Sequence, residues 1–383
     1  MMFDQQLLSQ VQEFIQVEVV GKSRYYDVNE LFPERLWTML TQDIGIFRLL
    51  VDYPDAKKGF RTFLEVIRLL SKEFPSLASI AYTHGIYVIQ LLQEFGTEAQ
   101  KNRYLKDFVS CKRMGAFAFS EKDINLEQQS LQTVAEETDE GWLVTGKKHK
   151  IANISVADVL FVLAKTIDKQ GRKRTGIFII ELPHVGVKIG PSVDKLGLRA
   201  MPLAPVELES VLVDAEQLLG DVLEGLPQWS RIRLRMWSAI SAQSIGIAEG
   251  AFQNGIACSQ VKRNFGKRPI DVEINQFKFS DLKAKLISSE AYYKDCLEAE
   301  VIEERRVSIL KLLTSEMAIT ISEEVLRITG AYSFLGNHDM ERFVRDAEVA
   351  STYGGSSDSI RKKNSESLAL IDKGGMHVTI IQI

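Results

Sequence analysis

The first 115 residues carry apolar side chains at helical spacing. Apolar residues stand three and four positions apart in LFPERLWTMLTQDIG and FRTFLEVIRLLSKEF, which is typical of amphipathic helices. Two more helices, separated by a break at Gly96, are predicted in IYVIQLLQEFGTEAQKNRYLKDFVSCK, with Thr97 as the N-cap of the second. The pattern therefore predicts a helical domain over residues 1–115.

From residue 116 the pattern changes to short runs rich in β-branched residues. Gly, Pro and Asp bound these runs, which read VADVLFVLAKT, RTGIFIIELP, VGVKIG and APVELESVLVD. Such runs are typical of strands, and a stretch of roughly a hundred residues is an ordinary domain size. We therefore predict a β-barrel or β-sandwich over residues 116–225.

Long amphipathic helices return over residues 226–383. One stripe of FKFSDLKAKLISSEAYYKDCLEAEV carries Phe279, Leu282 and Leu286, and small residues that permit close helix contacts fill RMWSAISAQSIGIAEGAFQNGIACSQ. Long helices with short connections favour a four-helix bundle. The predicted fold class is therefore α+β, with an N-terminal helical domain, a central β-domain and a C-terminal bundle.

Composition and charge remove several classes of protein. The 383 residues carry a net charge of -4, so no nucleic-acid partner is expected. Five histidines without metal-ligand spacing and three scattered cysteines predict neither a metal site nor a disulfide framework. The first residues lack a signal-peptide pattern, and no apolar run has the length of a transmembrane helix. A soluble, cytoplasmic protein without membrane contact is expected.

The common enzyme signatures for nucleotide binding and hydrolysis do not occur. Five other motifs cover about residues 90–370. They are EFGTEAQKNRYL with GAFAFSE, GWLVTGKKHKIANISVADVLFVLAKT, DKLGLRAMPLAPVELESVLVDAEQLLG, VKRNFGKRPIDVEINQF, and LRITGAYSF with MERFVRDAEVASTYGGSSDSIRK. In this order they resemble the motifs of the acyl-CoA dehydrogenase family.

The resemblance implies a fold, a cofactor and a reaction. Members of this family hold FAD between the β-domain and the bundle, and a second subunit completes the site, so a homodimer or homotetramer is expected. The substrate is an acyl thioester carried on CoA or on an acyl carrier protein, and the electron acceptor stays open. A carboxylate takes the proton next to the thioester carbonyl, and it must lie within hydrogen-bond reach of that proton.

The segment STYGGSSDSI resembles the family's Y-E-G-T-x-E-I, but Gly354 stands where the family has its glutamate base. Some members carry the base on an earlier helix, and that position here is about Met236. Two carboxylates are candidates for a replacement base. Glu249 lies on the helix of the small residues, where a solvated helix face is the alternative reading, and Asp358 matches a family position outside the catalytic centre.

The resemblance also implies a set of flavin contacts, of which several have changed. Lys150 replaces the aromatic residue that shields the flavin, and Ala152 replaces the hydroxyl residue that faces flavin N5. The alternative interpretations are that Ser120 closes a turn and that Phe265 packs a helix end. The implied FAD-binding residues are Ser120, Asn153, Lys262, Arg263, Asn264, Phe265, Gln276, Arg327, Gly330 and Ser356.

Two hypotheses follow from this pattern. In the first, the chain is a flavoenzyme that acts on an acyl thioester with an atypical base or none. In the second, it is a non-catalytic or partner-dependent subunit that binds FAD weakly or not at all. The retained Ser120, Phe265 and Gln276 favour the first.

Overall fold

A computed structural model describes residues 2–122, 131–263, 266–331, 339–371 and 380–382. Eight helices form the described part of the N-terminal domain, and a π-helical segment, Gly85–Gln90, continues α6 into α7. The helices are α1 (Met2–Phe14), α2 (Ser23–Asn29), α3 (Glu34–Thr38), α4 (Arg48–Val51), α5 (Ala56–Ser71), α6 (Pro75–His84), α7 (Leu91–Phe95) and α8 (Glu98–Val109).

Local sequence explains where the main helices of this domain begin. The Asp55 carboxylate accepts a hydrogen bond from the Lys58 backbone N–H at 3.0 Å and caps α5. Thr97 is the N-cap of α8, as the sequence predicts, and forms a reciprocal capping box with Gln100. Such caps satisfy backbone donors that the first helical turn leaves unpaired.

The central domain is built on one mixed sheet. Its strands are β1 (Gly115–Ala118), β2 (Val134–Glu137), β3 (Trp142–Ala152), β4 (Val159–Ile167), β5 (Lys173–Glu181), β6 (Val187–Ile189) and β7 (Leu203–Val213). Their order is β1-β4-β2-β3-β7-β6, with β5 paired to β4. The pairs β1/β4 and β2/β4 are parallel, and the other pairs are antiparallel. The continuous apolar run of β4 is buried on both faces, as expected for a central strand.

The C-terminal part is a helical bundle that packs against the N-terminal domain. Its helices are α9 (Gly225–Gln260), α10 (Glu273–Glu298), α11 (Glu304–Thr329), α12 (Met340–Thr352) and α13 (Ser357–Ile371), and β8 (Val301–Glu303) pairs with β9 (Ile380–Gln382). A Cβ atom at Gly246 would lie 2.3 Å from the Arg68 carbonyl oxygen, so glycine permits the close approach of α9 to α5. The predicted three-part fold is confirmed.

The described residues contain neither a candidate transmembrane helix nor a metal-ligand cluster. None of the helices there combines the length and the apolar character that a membrane crossing requires. No group of His, Cys, Asp and Glu in the same residues could hold a metal ion.

Candidate functional site

The turn between α12 and α13 is held by buried side chains from two other helices. Its glycines, Gly354 and Gly355, have φ angles of 69° and 118°. The Trp237 indole N–H donates to the Gly354 carbonyl at 2.7 Å. Lys311 Nζ donates to the carbonyls of Ser351 at 2.6 Å and Gly355 at 2.7 Å. Three backbone carbonyls of this short segment are therefore fixed.

Lys311 is an unusual anchor because its whole side chain lies inside the bundle. The residue is 0 % exposed, and loss of hydration lowers the pKa of its ammonium group to about 8. Burying an amine costs free energy unless it is hydrogen-bonded. The two carbonyls of the turn provide those bonds, so Lys311 and the turn stabilise each other.

The space beside Gly354 is already filled. A Cβ atom at this position would lie 2.7 Å from Cδ1 of Ile240 and 3.5 Å from Cδ1 of Trp237. The left-handed backbone adds a cost of about 1–2 kcal/mol for any residue with a Cβ. The turn is shaped for glycine, and side chains of α9 occupy the direction in which another side chain would point.

Aromatic rings and one arginine lie next to the turn. The Arg233 guanidinium lies 4.6 Å from the ring centre of Trp229 and 4.7 Å from that of Trp237, and it donates to Glu304 at 2.7 Å. Stacking on two indoles and pairing with a carboxylate hold a guanidinium firmly. Arg233 therefore fixes the orientation of both tryptophans at the start of α9.

The aromatic group continues from α9 to β1 and the π-helical segment. Phe119 follows β1 directly, and its ring centre lies 6.0 Å from that of Trp229 and 5.2 Å from that of Tyr87. On the side of the turn, the Tyr353 hydroxyl lies 3.3 Å from Thr83 Oγ1, and burial raises the pKa of Tyr353 to about 12. The aromatic cluster, formed by Tyr87, Phe119, Trp229 and Trp237, thus joins all three parts of the fold.

A buried ion pair stands one residue beyond Ser120. Lys148 Nζ donates to Glu121 at 2.7 Å and to the Leu163 carbonyl at 2.5 Å, and the two charged side chains are 0 % and 1 % exposed. Burial lowers the pKa of Lys148 to about 8. Burial also acts to raise the pKa of Glu121, but Lys148 and the backbone N–H of Gln132 outweigh it, and the pKa is lowered.

Comparison with known proteins gives the same family from each part of the chain. Models of the acyl-CoA dehydrogenase N-terminal, middle and C-terminal domains match residues 4–112, 116–211 and 235–368. The chain is 27% identical over 369 residues to the short-chain specific acyl-CoA dehydrogenase of Clostridium acetobutylicum, with 93% of this chain and 95% of the relative covered.

The chain belongs to the acyl-CoA dehydrogenase family.

Solved structures show the same fold. Butyryl-CoA dehydrogenase from Megasphaera elsdenii superposes with a TM-score of 0.87 at 22% identity, covering 96% of this chain and 98% of that one. The prolyl acyl carrier protein oxidase AnaB superposes with a TM-score of 0.86 at 24% identity, covering 96% and 99%.

Of the β-domain residues that the family resemblance assigns to the flavin, Ser120 directly follows Phe119 of the aromatic cluster. The Ser120 carbonyl accepts from the His149 N–H at 2.8 Å, and Ala152 is buried. Asn153 is 0 % exposed, and its Nδ2 donates to the Ile80 carbonyl at 3.2 Å. Its Oδ1 is buried and has no partner within the part of the chain that the structure describes. A free acceptor oxygen and the Ser120 hydroxyl fit the polar edge of a flavin ring.

Three described members of that set lie between the end of α9 and the first turns of α10. Arg263 donates to the Cys258 carbonyl and Gln276 to the Ile270 carbonyl, and Lys262 is exposed. Asn264 and Phe265 lie outside the described residues. The flavin roles of these residues stay predictions.

Three further members of the set lie at helix ends. Arg327 pairs with Glu323 and Glu324 near the end of α11, and Gly330 ends that helix with a φ of 66°. The Ser356 hydroxyl accepts from the Ser359 N–H at 3.2 Å at the start of α13. Both partners of Arg327 are acidic and would repel a phosphate group. Within one chain, they therefore argue against a phosphate contact from Arg327.

The candidate bases differ sharply in their surroundings. Glu249 is only 9 % exposed, so the alternative prediction that it lies on a solvated helix face is wrong. Its carboxylate pairs with Arg68 at 2.5 Å and with Lys72 at 3.1 Å, which favours a structural role. The Asp358 side chain is 93% exposed and pairs with Arg361 at 3.0 Å. Met236, the other position that the resemblance implies for the base, is buried, and like Gly354 it carries no carboxylate.

Several residues that build this site were not predicted from the sequence. Lys311 carried a signal, since it interrupts the apolar face of VSILKLLTSEM in α11. Tyr87 carried no such signal, because the π-helical segment changes the helical spacing and no residue in the sequence marks that change. Trp229, Arg233 and Trp237 stand four residues apart on α9, a spacing that aligns them on one face.

Lys311→Met is expected to lower the free energy of unfolding by about 1–3 kcal/mol, because two buried carbonyls lose a charged donor. Methionine keeps much of the side-chain shape, so the effect reports the hydrogen bonds. Urea denaturation measures it. Lys188→Met is the control, because Lys188 forms an exposed pair with Glu209 that contributes little.

The same variant tests the buried position of Lys311 through its pH dependence. In the folded protein the pKa is lowered from 10.5 to about 8. Between these values the unfolded chain binds more protons than the folded chain, so the free energy of unfolding of the wild type rises with pH. The difference in the free energy of unfolding between wild type and variant should therefore grow above pH 8. A difference that shrinks there would contradict the desolvated position.

Proposed function

We propose that this chain is an FAD-dependent oxidoreductase that acts on an acyl thioester without a side-chain base at the usual family positions. The observation that carries the proposal is the turn at Gly354. It has no carboxylate, yet Trp237 and Lys311 hold three of its carbonyls from buried positions. A segment that has lost its role has no evident reason to keep such anchors.

When bound, FAD would supply the acceptor for a hydride from the β-carbon of the acyl group. Ser120 and Asn153 would bind its ring, and Lys262, Arg263 and Gln276 would bind the phosphate and adenine portions in a second subunit. The proton of the α-carbon has no acceptor at Gly354 or Met236. Substrates whose α-proton is already acidic, or whose own groups accept it, therefore suit this site better than saturated hydrocarbon chains.

Two carriers of the acyl group fit the proposal. One relative is named as a short-chain acyl-CoA dehydrogenase, and one structural neighbour is named as an acyl carrier protein oxidase. We propose an acyl thioester of either kind as the substrate, with the electron acceptor open. We further propose a homodimer or homotetramer, since closed symmetry is the usual form of such assemblies. We also propose that the protein is cytoplasmic.

Purified protein is expected to elute as a yellow dimer or tetramer. Gel filtration with light scattering and detection of flavin absorbance measures mass and cofactor together. Lys262→Ala with Arg263→Ala should lower flavin content if these cations bind the pyrophosphate, whereas Lys188→Ala, on an exposed strand, should not. A colourless monomer that does not load FAD would support the non-catalytic alternative instead.

A further inference from the structure

The N-terminal domain contains a cavity of about 890 Å³. One wall is formed by α8 and the residues that follow it, and the other wall by the π-helical segment Met39–Asp43 and α4. The volume is within the range of about 300–1,000 Å³ that is usual for small-molecule sites. The lining residues are all described, and none of them belongs to the aromatic cluster, to the turn between α12 and α13 or to the implied flavin contacts.

Cations are in excess along this cavity. Four cationic and two acidic side chains line it, which leaves a net charge of +2. Arg48 comes from one wall, and Lys106 and Lys112 come from the other. Within the described part of the chain, these three side chains have no carboxylate at ion-pairing distance. Asp52, at the end of α4, contributes a single opposing charge.

Other cations of α8 do have carboxylate partners. Lys101 pairs with Glu98 at 3.1 Å, and Arg103 pairs with Glu181 at 2.9 Å. The lack of partners therefore distinguishes the cations at the other end of the cavity from their neighbours on the same helix. Cations that converge on a concave surface without counter-charges raise the local concentration of anions.

The rest of the lining offers hydrogen bonds and apolar surface. The side-chain amides of Gln42, Gln93 and Asn102 line the cavity, and so do the apolar side chains of Val51 and Leu105. Amides can both donate to and accept from a polar group, and the apolar side chains can cover an uncharged part of a ligand. The lining therefore suits a ligand that combines negative charge with an uncharged portion.

We propose that this cavity binds a phosphorylated small molecule with a partly apolar remainder, such as a nucleoside diphosphate. Guanidinium and ammonium groups form charge-assisted hydrogen bonds with phosphate oxygens, and Arg48, Lys106 and Lys112 supply these groups from both walls. The amides and the apolar side chains contact the remainder of the ligand. This site is separate from the residues of the proposed function, and binding there needs no flavin.

Calorimetric titration of the purified protein with uridine diphosphate tests the proposal. Uridine is preferred because adenosine diphosphate is a part of FAD and could enter a flavin site. One saturable site per chain is expected, with an affinity that falls as the salt concentration rises. Inorganic pyrophosphate is the matched probe without the uncharged portion, and it should bind about tenfold more weakly because it buries no apolar surface.

Variants of the two walls assign the binding to the cavity. Lys106→Gln combined with Lys112→Gln should weaken the binding of uridine diphosphate about tenfold or more, and Arg48→Gln should weaken it from the opposite wall. Lys188→Gln is the control, because Lys188 lies in an exposed pair on the β-domain, and its affinity should equal that of the wild type. None of the substituted cavity cations has a partner among the described residues, so the midpoint of thermal unfolding should not fall.

Three results would overturn the proposal. The first is that uridine diphosphate does not bind saturably to the wild type. The second is equal affinity for uridine diphosphate and pyrophosphate, which would contradict a ligand with an uncharged portion. The third is an affinity that the cavity variants leave unchanged or that Lys188→Gln lowers equally, since the ligand would then bind elsewhere. The flavin content of the cavity variants should equal that of the wild type, so none of these results bears on the proposed function.

Discussion

Saturated straight-chain acyl-CoA is expected to reduce the flavin of this protein slowly. The rate should be about a hundred to ten thousand times lower than for the flavin of a family member that carries the glutamate base. A positioned general base contributes about that factor. Here Gly354 has no side chain, and Met236 is apolar and buried. Anaerobic stopped-flow mixing with butyryl-CoA, followed by the loss of oxidised-flavin absorbance, measures the rate.

Gly354→Glu is not expected to restore the fast reaction. The new Cβ atom would meet Ile240 Cδ1 at 2.7 Å, and the backbone at φ 69° disfavours any residue but glycine. The Trp237 bond to the Gly354 carbonyl holds the turn in that conformation. Ile240→Ala combined with Gly354→Glu is the informative control, because it opens the space. A large gain from Gly354→Glu alone would show that the turn adapts easily.

Glu121→Gln is expected to lower the free energy of unfolding by about 3–5 kcal/mol, because it leaves the Lys148 ammonium buried without its counter-charge. The side chains are 0 % and 1 % exposed, so solvent cannot replace the lost carboxylate. Urea denaturation followed by circular dichroism measures the change. Since Ser120 precedes Glu121, weaker flavin binding should accompany the loss of stability.

Glu209→Gln is the matched control for that experiment. Its partner Lys188 lies on the same sheet, but these side chains are 51% and 63% exposed. Exposed pairs contribute at most about 1 kcal/mol, so this variant should be nearly as stable as the wild type. Equal effects of the two variants would contradict the importance of burial.

The three-part fold could be predicted because its signals are local. The helical spacing before residue 116, the β-branched runs after it and the small residues of α9 each depend on neighbours in sequence. The Thr97 cap is likewise decided within four residues. Motif order supplied the family in the same way, and the comparisons support that assignment.

The site could be predicted only in part, because its contacts join distant segments. Lys311 donates to carbonyls that lie 40 and 44 residues further along the chain, and Trp237 donates to one that lies 117 residues further along. Glu249 meets Arg68 across 181 residues, so its burial was not visible from its own helix. The family resemblance implies that a carboxylate is missing at Gly354, but only the packed structure identifies the side chains that fill the space beside it.

Exchange of the α-protons of butyryl-CoA with deuterium oxide tests the absence of a base most directly. Nuclear magnetic resonance follows the exchange in the presence of flavin-loaded protein, and no hydride transfer is needed. No exchange beyond that in buffer is expected, because neither Gly354 nor Met236 can take the proton. Rapid exchange would contradict the absence of a base, and its loss in Glu249→Gln or Asp358→Asn would identify the group responsible.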